Sequence, residues 1–406
     1  MSLPWKTLIL LQVKDKLKIK MDKFRHQIIT TKNGKLKTPF FMPDATRALV
    51  KFLSNDDLEK AGVVPMVVNT YHLFLQPTME TIKKAGGVHK FMNYHKPLLS
   101  DSGGYQVFSL IHKNPQMGRI TDNEVVFRSP ASGEKHTITP EKSIQIQFDL
   151  GVDMLVCFDD PPPNNYSKER ISSAVERTIS WAKRCLIEYN KQIKKRKLTA
   201  KTRPLIFAVV QGGKYVDLRK RCVEGLIDVG REVGRDWDGY GFGARHIDEK
   251  GVFMDKILKA TADFIPEKSL RFALGVGTPE DIIKCYKLGW DMFDCVIPTR
   301  EGRHGRLFIS NKQFEFPISN SQFPNKFKNP NSKNQKLFYE IVNIRNGKFK
   351  NDFGPVDKNC DCELCQNYTR AYLNHLFRLG DPLGMRLASI HNLKFYMRLM
   401  EELQEL

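Results

Sequence analysis

The segment Leu205-Ile-Phe-Ala-Val-Val-Gln211-Gly-Gly213 carries six apolar residues in succession and closes on an amide and two glycines. A short run that is apolar at every position, rather than at every second one, predicts a parallel strand buried on both faces. Seven more runs of related build flank it, at residues 38–43, 64–69, 97–101, 154–159, 239–243, 271–275 and 292–296. Each leads into a polar or Gly-containing turn and then an amphipathic stretch. In residues 167–197, for example, Ile171, Val175, Thr178, Ala182, Leu186, Tyr189 and Ile193 recur at three- and four-residue steps, with Ser167 placed as an N-cap. Eight β-then-α units predict an α/β fold, a (β/α)8 TIM-type barrel. The polar residues closing these runs, Asn69, Asp101, Asp159, Gln211 and Asp294, would then converge on the end of the barrel where active sites are built.

A chain of 406 residues suits one such barrel with an appendage, and 41% apolar with 10% aromatic residues rules out wholesale disorder. Eight cysteines are too few for a disulfide scaffold. The early apolar run at residues 8–13 is too short for a signal-peptide core or a membrane span, so a cytoplasmic protein with no membrane partner is expected. Residues 1–21 read as a detachable extension or an upstream start, with Met21 as an alternative beginning. The barrel is expected over 22–350, with a mobile Asn-, Lys-, Pro- and Ser-rich insertion at about 311–336. A small C-terminal zinc-binding subdomain and a final helix are expected over 351–406.

The formal charge is +20, from 65 Lys and Arg against 45 Asp and Glu. Residues 1–40, 161–203 and 300–350 carry net +8, +9 and +8, together more than the whole excess. The lysines of 191–201 fit a solvated surface as well as a polyanion site. Arg300, Arg303 and Arg306 follow directly on an acid-bearing run and point to a polyanionic partner held through phosphates.

Cys360, Cys362 and Cys365 fall within six residues, and His391 follows 26 residues later. Three thiolates and an imidazole form the ligand set of a closed, structural zinc site, one ion per chain. A redox pair or three buried thiols are the alternatives, and His375 is the competing histidine. The other cysteines lie in strand or helix patterns and read as core.

In Leu98-Leu-Ser-Asp101-Ser102-Gly103-Gly104-Tyr105-Gln106, a strand ends on an acid, two glycines admit close backbone approach, and Tyr105 offers a stacking plate. In Asp291-Met-Phe-Asp294-Cys-Val-Ile-Pro-Thr299-Arg300, a second strand ends near an acid. One carboxylate to attack and one to shuttle a proton are what exchange at a sugar's anomeric carbon requires. The oxocarbenium-like transition state gains further from nearby negative charge.

These motifs, with Asn69-Thr-Tyr-His-Leu, Val210-Gln-Gly-Gly, Gly275-Val-Gly277 and the Cys-x-Cys-x-x-Cys…His module, occur in an order that resembles the tRNA-guanine transglycosylase (queuine tRNA-ribosyltransferase) family, from about residue 37 to 400. The resemblance implies exchange of guanine at the first anticodon position of tRNAs with a G-U-N anticodon, for queuine or 7-aminomethyl-7-deazaguanine. It implies Asp294 as nucleophile on ribose C1′ and Asp101 as the acid/base. It assigns the free deazaguanine base to Asn69, Ser102, Gly103, Gly104, Tyr105, Asp159, Gln211, Gly243 and Ala244. It assigns the tRNA to Gly275, Gly277, Thr299, Arg300 and Arg303, and implies a homodimer. The chain departs from the bacterial pattern at Asp160-Pro161-Pro162-Pro163, where Glu-Cys is usual, and at Gly243-Ala244-Arg245-His246, where Gly-Gly-Leu-Ala is usual. Arg245 either enters the pocket, repelling a protonated aminomethyl arm and so favouring queuine, or faces solvent. Two other functions fit the acids: a retaining barrel glycoside hydrolase, which has no use for the arginines, and a non-catalytic tRNA-binding subunit, which has none for the acids.

Overall fold

All eight predicted runs are strands. The computed structural model describes residues 25–310 and 338–406, so the expected extension at 1–21 and the insertion at 311–336 lie outside the described residues. The strands are β1 (Phe40–Pro43), β2 (Met66–Asn69), β3 (Leu98–Asp101), β4 (Met154–Val156), β5 (Leu205–Val210), β6 (Gly239–Phe242), β7 (Leu270–Ala273) and β8 (Met292–Cys295). They form one parallel sheet in which each strand from β2 to β8 pairs with the next, and β8 pairs with β1. Between β1 and β2 the ring is closed just beyond the end of β1, by a bridge from Asp44 to Val67 and by the bonds Ala45 N to Val67 O (2.7 Å) and Asn69 N to Thr46 O (3.3 Å).

Strand side chains alternate between faces, and the inward set is one apolar cluster. It holds Phe40 and Met42, Val67, Leu99, Met154 and Val156, Phe207 and Val209, Leu270 and Phe272, and Met292. On β6 the inward positions are glycines, because a Cβ at Gly239 or Gly241 would overlap Phe207 or Leu274. Counting two residues on from the last apolar layer reaches Asp44, Asn69, Asp101, Gln211, Gly243 and Asp294. On six of the eight strands the barrel interior therefore gives way to a polar residue or glycine at its C-terminal mouth, whereas the same step on β4 and β7 reaches Phe158 and Leu274. At the other end an antiparallel hairpin, Ile28–Thr31 with Gly34–Lys37, adds Ile29 and Leu36 to the same cluster and closes the bottom.

The helix after β4, Lys168–Lys195, begins at the Ser167 cap, whose hydroxyl accepts from Arg170 N. Its lysine-rich end leads into β5, at the barrel end away from the mouth. A three-stranded antiparallel sheet, Gly118–Ile120, Val125–Arg128 and Lys135–Ile138, is inserted between the helices Gly104–Lys113 and Pro140–Leu150.

Contacts divide the chain into two units, and the barrel, to Leu49 and over Val64–Cys295 with Leu403–Leu406, is the first. The second holds Val50–Val63 and Val296–Glu402. Within it the hairpin Arg306–Ser310 with Tyr339–Asn343 and the helix Arg370–Leu379 surround a core of Leu307, Ile309, Ile344, Val356, Leu364, Leu373 and Leu387. Arg386 ties the helix Asn55–Lys60 into this unit by forks to Asp57 and Glu363. Among the described residues no helix is long and apolar enough to cross a membrane.

Candidate active site and metal centre

Asp101 ends β3, and three groups aim its carboxylate. The Asn69 amide donates to Oδ2, and the N–H groups of Thr70 and Gly103 each donate to Oδ1 at 3.1 Å. Asn69 can do this because its own Oδ1 caps the turn after β2, accepting from His72 N at 3.0 Å. Gly103 has φ +76°, the left-handed conformation that lets its N–H turn back to the acid. Ser102 accepts from Gly104 N at 3.2 Å. A Cβ on Gly104 would lie 3.1 Å from Ser102 Oγ and 3.5 Å from Asp159 Oδ1, so the bare backbone brings the β3 loop against the β4 loop. Tyr105, 59% exposed, leaves its ring open for a planar ligand.

Asp159 is buried and accepts from Gln211 Nε2 at 2.7 Å. Its neighbour Asp160 is bonded instead to Arg177, so only the first of the two adjacent acids is available at the mouth. Gln211 is fully buried, and its Oε1 has no hydrogen-bond partner among the described residues. An unpaired buried amide oxygen costs stability unless a ligand supplies a donor. Behind Gln211 lies Arg219, also fully buried, donating to the carbonyls of Val210, Gly213 (3.0 Å) and Gly243 (3.0 Å) with its guanidinium 3.9 Å from the centre of the Phe242 ring. This one side chain ties the ends of β5 and β6 together. A Cβ at Gly243 would overlap the Gln211 carboxamide, which explains the glycine there. Ala244 follows with φ +66°, and Arg245 is exposed. His246 is held by Asp281 at 3.2 Å, fixing the loop on the helix after β7.

Asp294, on β8, is half-buried and accepts from Gly275 N at 2.7 Å, where φ +70° turns the backbone toward it. Gly277 is buried two residues on. Asp291 starts the same strand at the opposite end of the barrel, where its carboxylate accepts from Arg271 N at 2.9 Å and faces Arg25 at 3.6 Å. It is a floor residue, not an alternative to Asp294.

Burial is the first cause of a raised proton affinity at all three mouth acids, pushing Asp101 and Asp159 up to about 7 and Asp294 up to about 8. Repulsion adds to it, from Asp44 at Asp101, from Asp160 and then Asp101 at Asp159, and from Asp44 and then Asp101 at Asp294. The folded chain keeps protons here that the unfolded chain, with ordinary carboxyl values near 4, has already lost. These sites therefore weaken the fold progressively as pH rises from about 4 to 8. Replacing Asp294 by Asn should raise the urea midpoint, more at pH 8 than at pH 5. Equal gains at both would show that the acid ionises freely.

In the second unit, Thr299, Arg300 and Arg303 lie on the helix Ile297–Arg303. Thr299 is buried and bonds Val296 O, Arg303 is half-buried, and Arg300 is exposed beside Glu301. The thiols of Cys360, Cys362 and Cys365 and one nitrogen of His391 all lie within 4.8 Å of one another, and all four residues are buried. His391 turns Nδ1 toward Cys365 Sγ (3.3 Å), while Nε2 donates to Phe308 O at 2.8 Å, which orients the imidazole for coordination. Four soft and borderline donors converging in a dry pocket form a metal site. His375 is exposed on its helix and takes no part.

Sequence reasoning did not single out Arg177, Arg219 or Asp44. The first two are lone arginines in amphipathic helices and carry no pattern. Asp44 stands one residue past a run ending on Pro43, where a closing polar residue could have been sought.

One unit is a parallel barrel with carboxylates from three strands at its mouth, and the other holds a Cys3His metal site, which defines a class of barrel protein with a metal-binding module. The family model for queuine tRNA-ribosyltransferase matches residues 22–406. A queuine tRNA-ribosyltransferase of Caldanaerobacter subterraneus subsp. tengcongensis is 40% identical over 383 residues, 94% of this chain and 90% of that protein. One of Halothermothrix orenii is 39% identical over 376 residues, covering 93% and 88%. One of Staphylococcus aureus is 39% identical over 381 residues, covering 93% and 87%. The chain belongs to the queuine tRNA-ribosyltransferase family.

Proposed function

We propose that this protein exchanges guanine at the wobble position of G-U-N tRNAs for a 7-substituted 7-deazaguanine, by two displacements at one carbon. The observation that carries it is the convergence of Asp101, Asp159, Gln211 and Asp294 on one barrel mouth, in a chain of this family. Asp294 attacks ribose C1′ as the C1′–N9 bond breaks, and Asp101 gives its proton to the departing guanine. The incoming base then returns its N9 proton to Asp101, N9 bonds to C1′, and the Asp294–C1′ ester breaks. Two inversions retain configuration. The hydrogen bonds to Asp101 leave its carboxylate held in one orientation for both transfers.

Asp159 and the Gln211 amide hold the edge of the base, with Ser102 and the backbone at Gly103, Gly104, Gly243 and Ala244 around it. Asn69 acts through Asp101, and Tyr105 stacks on the base. Gly275, Gly277, Thr299, Arg300 and Arg303 serve the tRNA, the arginines reading the uridine side of the anticodon. With Arg245 exposed, water screens its charge from a base amine, and both queuine and the aminomethyl precursor fit the proposal. The Cys3His site takes one structural zinc, its four donors leaving no open position. We assign the catalytic segment to residues 22–350, of which the part from Val296 belongs to the same unit as the zinc module of 351–406, and place the protein in the cytoplasm as a homodimer.

Incubation with labelled guanine and an unmodified G-U-N tRNA tests the reading. Label should enter tRNA at the first anticodon position. Retained tRNA binding without exchange would favour a non-catalytic subunit, and cleavage of simple glycosides would favour a hydrolase.

A further inference from the structure

The mouth layer contains a carboxylate that no part of the reaction above uses. Phe40 and Met42 of β1 both point into the barrel core, so the alternation of the strand carries Asp44 inward one step higher. The register agrees. Met42 is paired with Asp294 and Pro43 with Cys295 on one side, and Asp44 is bridged to Val67 on the other, two residues before Asn69. Around the ring the inward groups run Asp294, Asp44, Asn69, Asp101 on four consecutive strands. Asp44 stands between the two acids of the proposed reaction. It is half-buried, and its charge acts on both of them.

We propose that Asp44 is a third carboxylate of the active site, a positioning residue that acts through Asp101 and Asp294 by making the ring retain a proton at neutral pH. This rests on the reaction proposed above. Three carboxylates in one poorly solvated layer do not all ionise together. The proton is shared over the coupled acids, and the reacting form is the one in which Asp101 carries it for the departing guanine while Asp294 attacks as the anion. No atom is gained or lost by Asp44 in either displacement. The groups on which its charge acts are Asp101 and Asp294, and in the chain around it stand Tyr71 and His72 in the turn after β2 and exposed Arg47 three residues on. Arg47 is the single cation among these, and it is open to water, so it offsets the repulsion only weakly.

The test is the pH dependence of kcat/KM for guanine exchange by the full chain, with Asp44→Asn and Asp44→Glu beside wild type. Removing the charge lowers the proton affinity of both remaining acids, so the whole profile of Asp44→Asn should move to lower pH by about one unit. Asp44→Glu should restore it to within about a third of that shift. Urea midpoints supply a reading independent of activity. Relative to wild type, Asp44→Asn should gain more stability at pH 8 than at pH 5. If wild type exchanges no guanine, the functional reading fails, and the urea data still decide whether Asp44 presses on the other acids. An unshifted profile, equal stability changes at the two pH values, or loss of folding in both variants would overturn the proposal.

Discussion

Asp294→Asn should abolish guanine exchange, lowering kcat by on the order of 10⁴-fold or more, as removal of a nucleophile does elsewhere. tRNA affinity should stay within about threefold, because the amide has the shape of the acid and still accepts from Gly275 N. No tRNA–protein adduct should survive denaturation. The uncharged variant should also be the more stable at neutral pH, since burial makes the native anion costly. Loss of activity with a gain in stability separates a reacting acid from a structural one. Activity within tenfold of wild type would move the nucleophile to another mouth carboxylate, Asp101 or Asp44, since Asp291 lies at the floor.

Metal loss should produce the second large effect, confined to the second unit. Chelation, or Cys365→Ser, removes a ligand set whose binding energy is folding energy, about 10 kcal/mol or more for structural zinc. Among the described residues the tryptophans are Trp181, Trp237 and Trp290, and all lie in the barrel unit. Their emission should therefore change little, while hydrogen-exchange protection over Leu364, Leu373, Leu387 and the rest of that core collapses. Metal analysis of the reduced protein should give about one ion per chain. His375→Ala should keep the ion, and His391→Ala should lose it. Full protection after the ion is removed would show that the apolar core alone holds the unit.

The barrel was legible because its strands are buried on both faces and so read as short apolar runs, several of them closed by a polar residue. The same property hid the smaller sheets. Lys135–Ile138 buries one residue of four, and in the bottom hairpin Ile28 is 73% exposed while Ile29 is in the core. Neither leaves a run to find. Asp101, Asp159, Gln211 and Asp294 were readable as run-closing residues, whereas Asp44 required the register of β1 against β8. Asp159 was singled out over Asp160 as the run-closing acid, and the physical reason its neighbour is unavailable, Arg177 seventeen positions away on a helix, appears only in three dimensions. The exposure of Arg245 is equally a matter of three dimensions, in a loop pinned by His246 to Asp281 on the helix after β7.

The most direct measurement is the position of the covalent bond. Wild-type protein denatured during exchange with a G-U-N tRNA, then digested with nuclease and trypsin, should yield one peptide bearing an abasic ribonucleotide. Cleavage after Lys287 and Arg300 gives the peptide 288–300, and fragmentation should place the added mass on Asp294. Added mass on a peptide carrying Asp44 or Asp101, or turnover with no trapped peptide at all, would contradict the assignment.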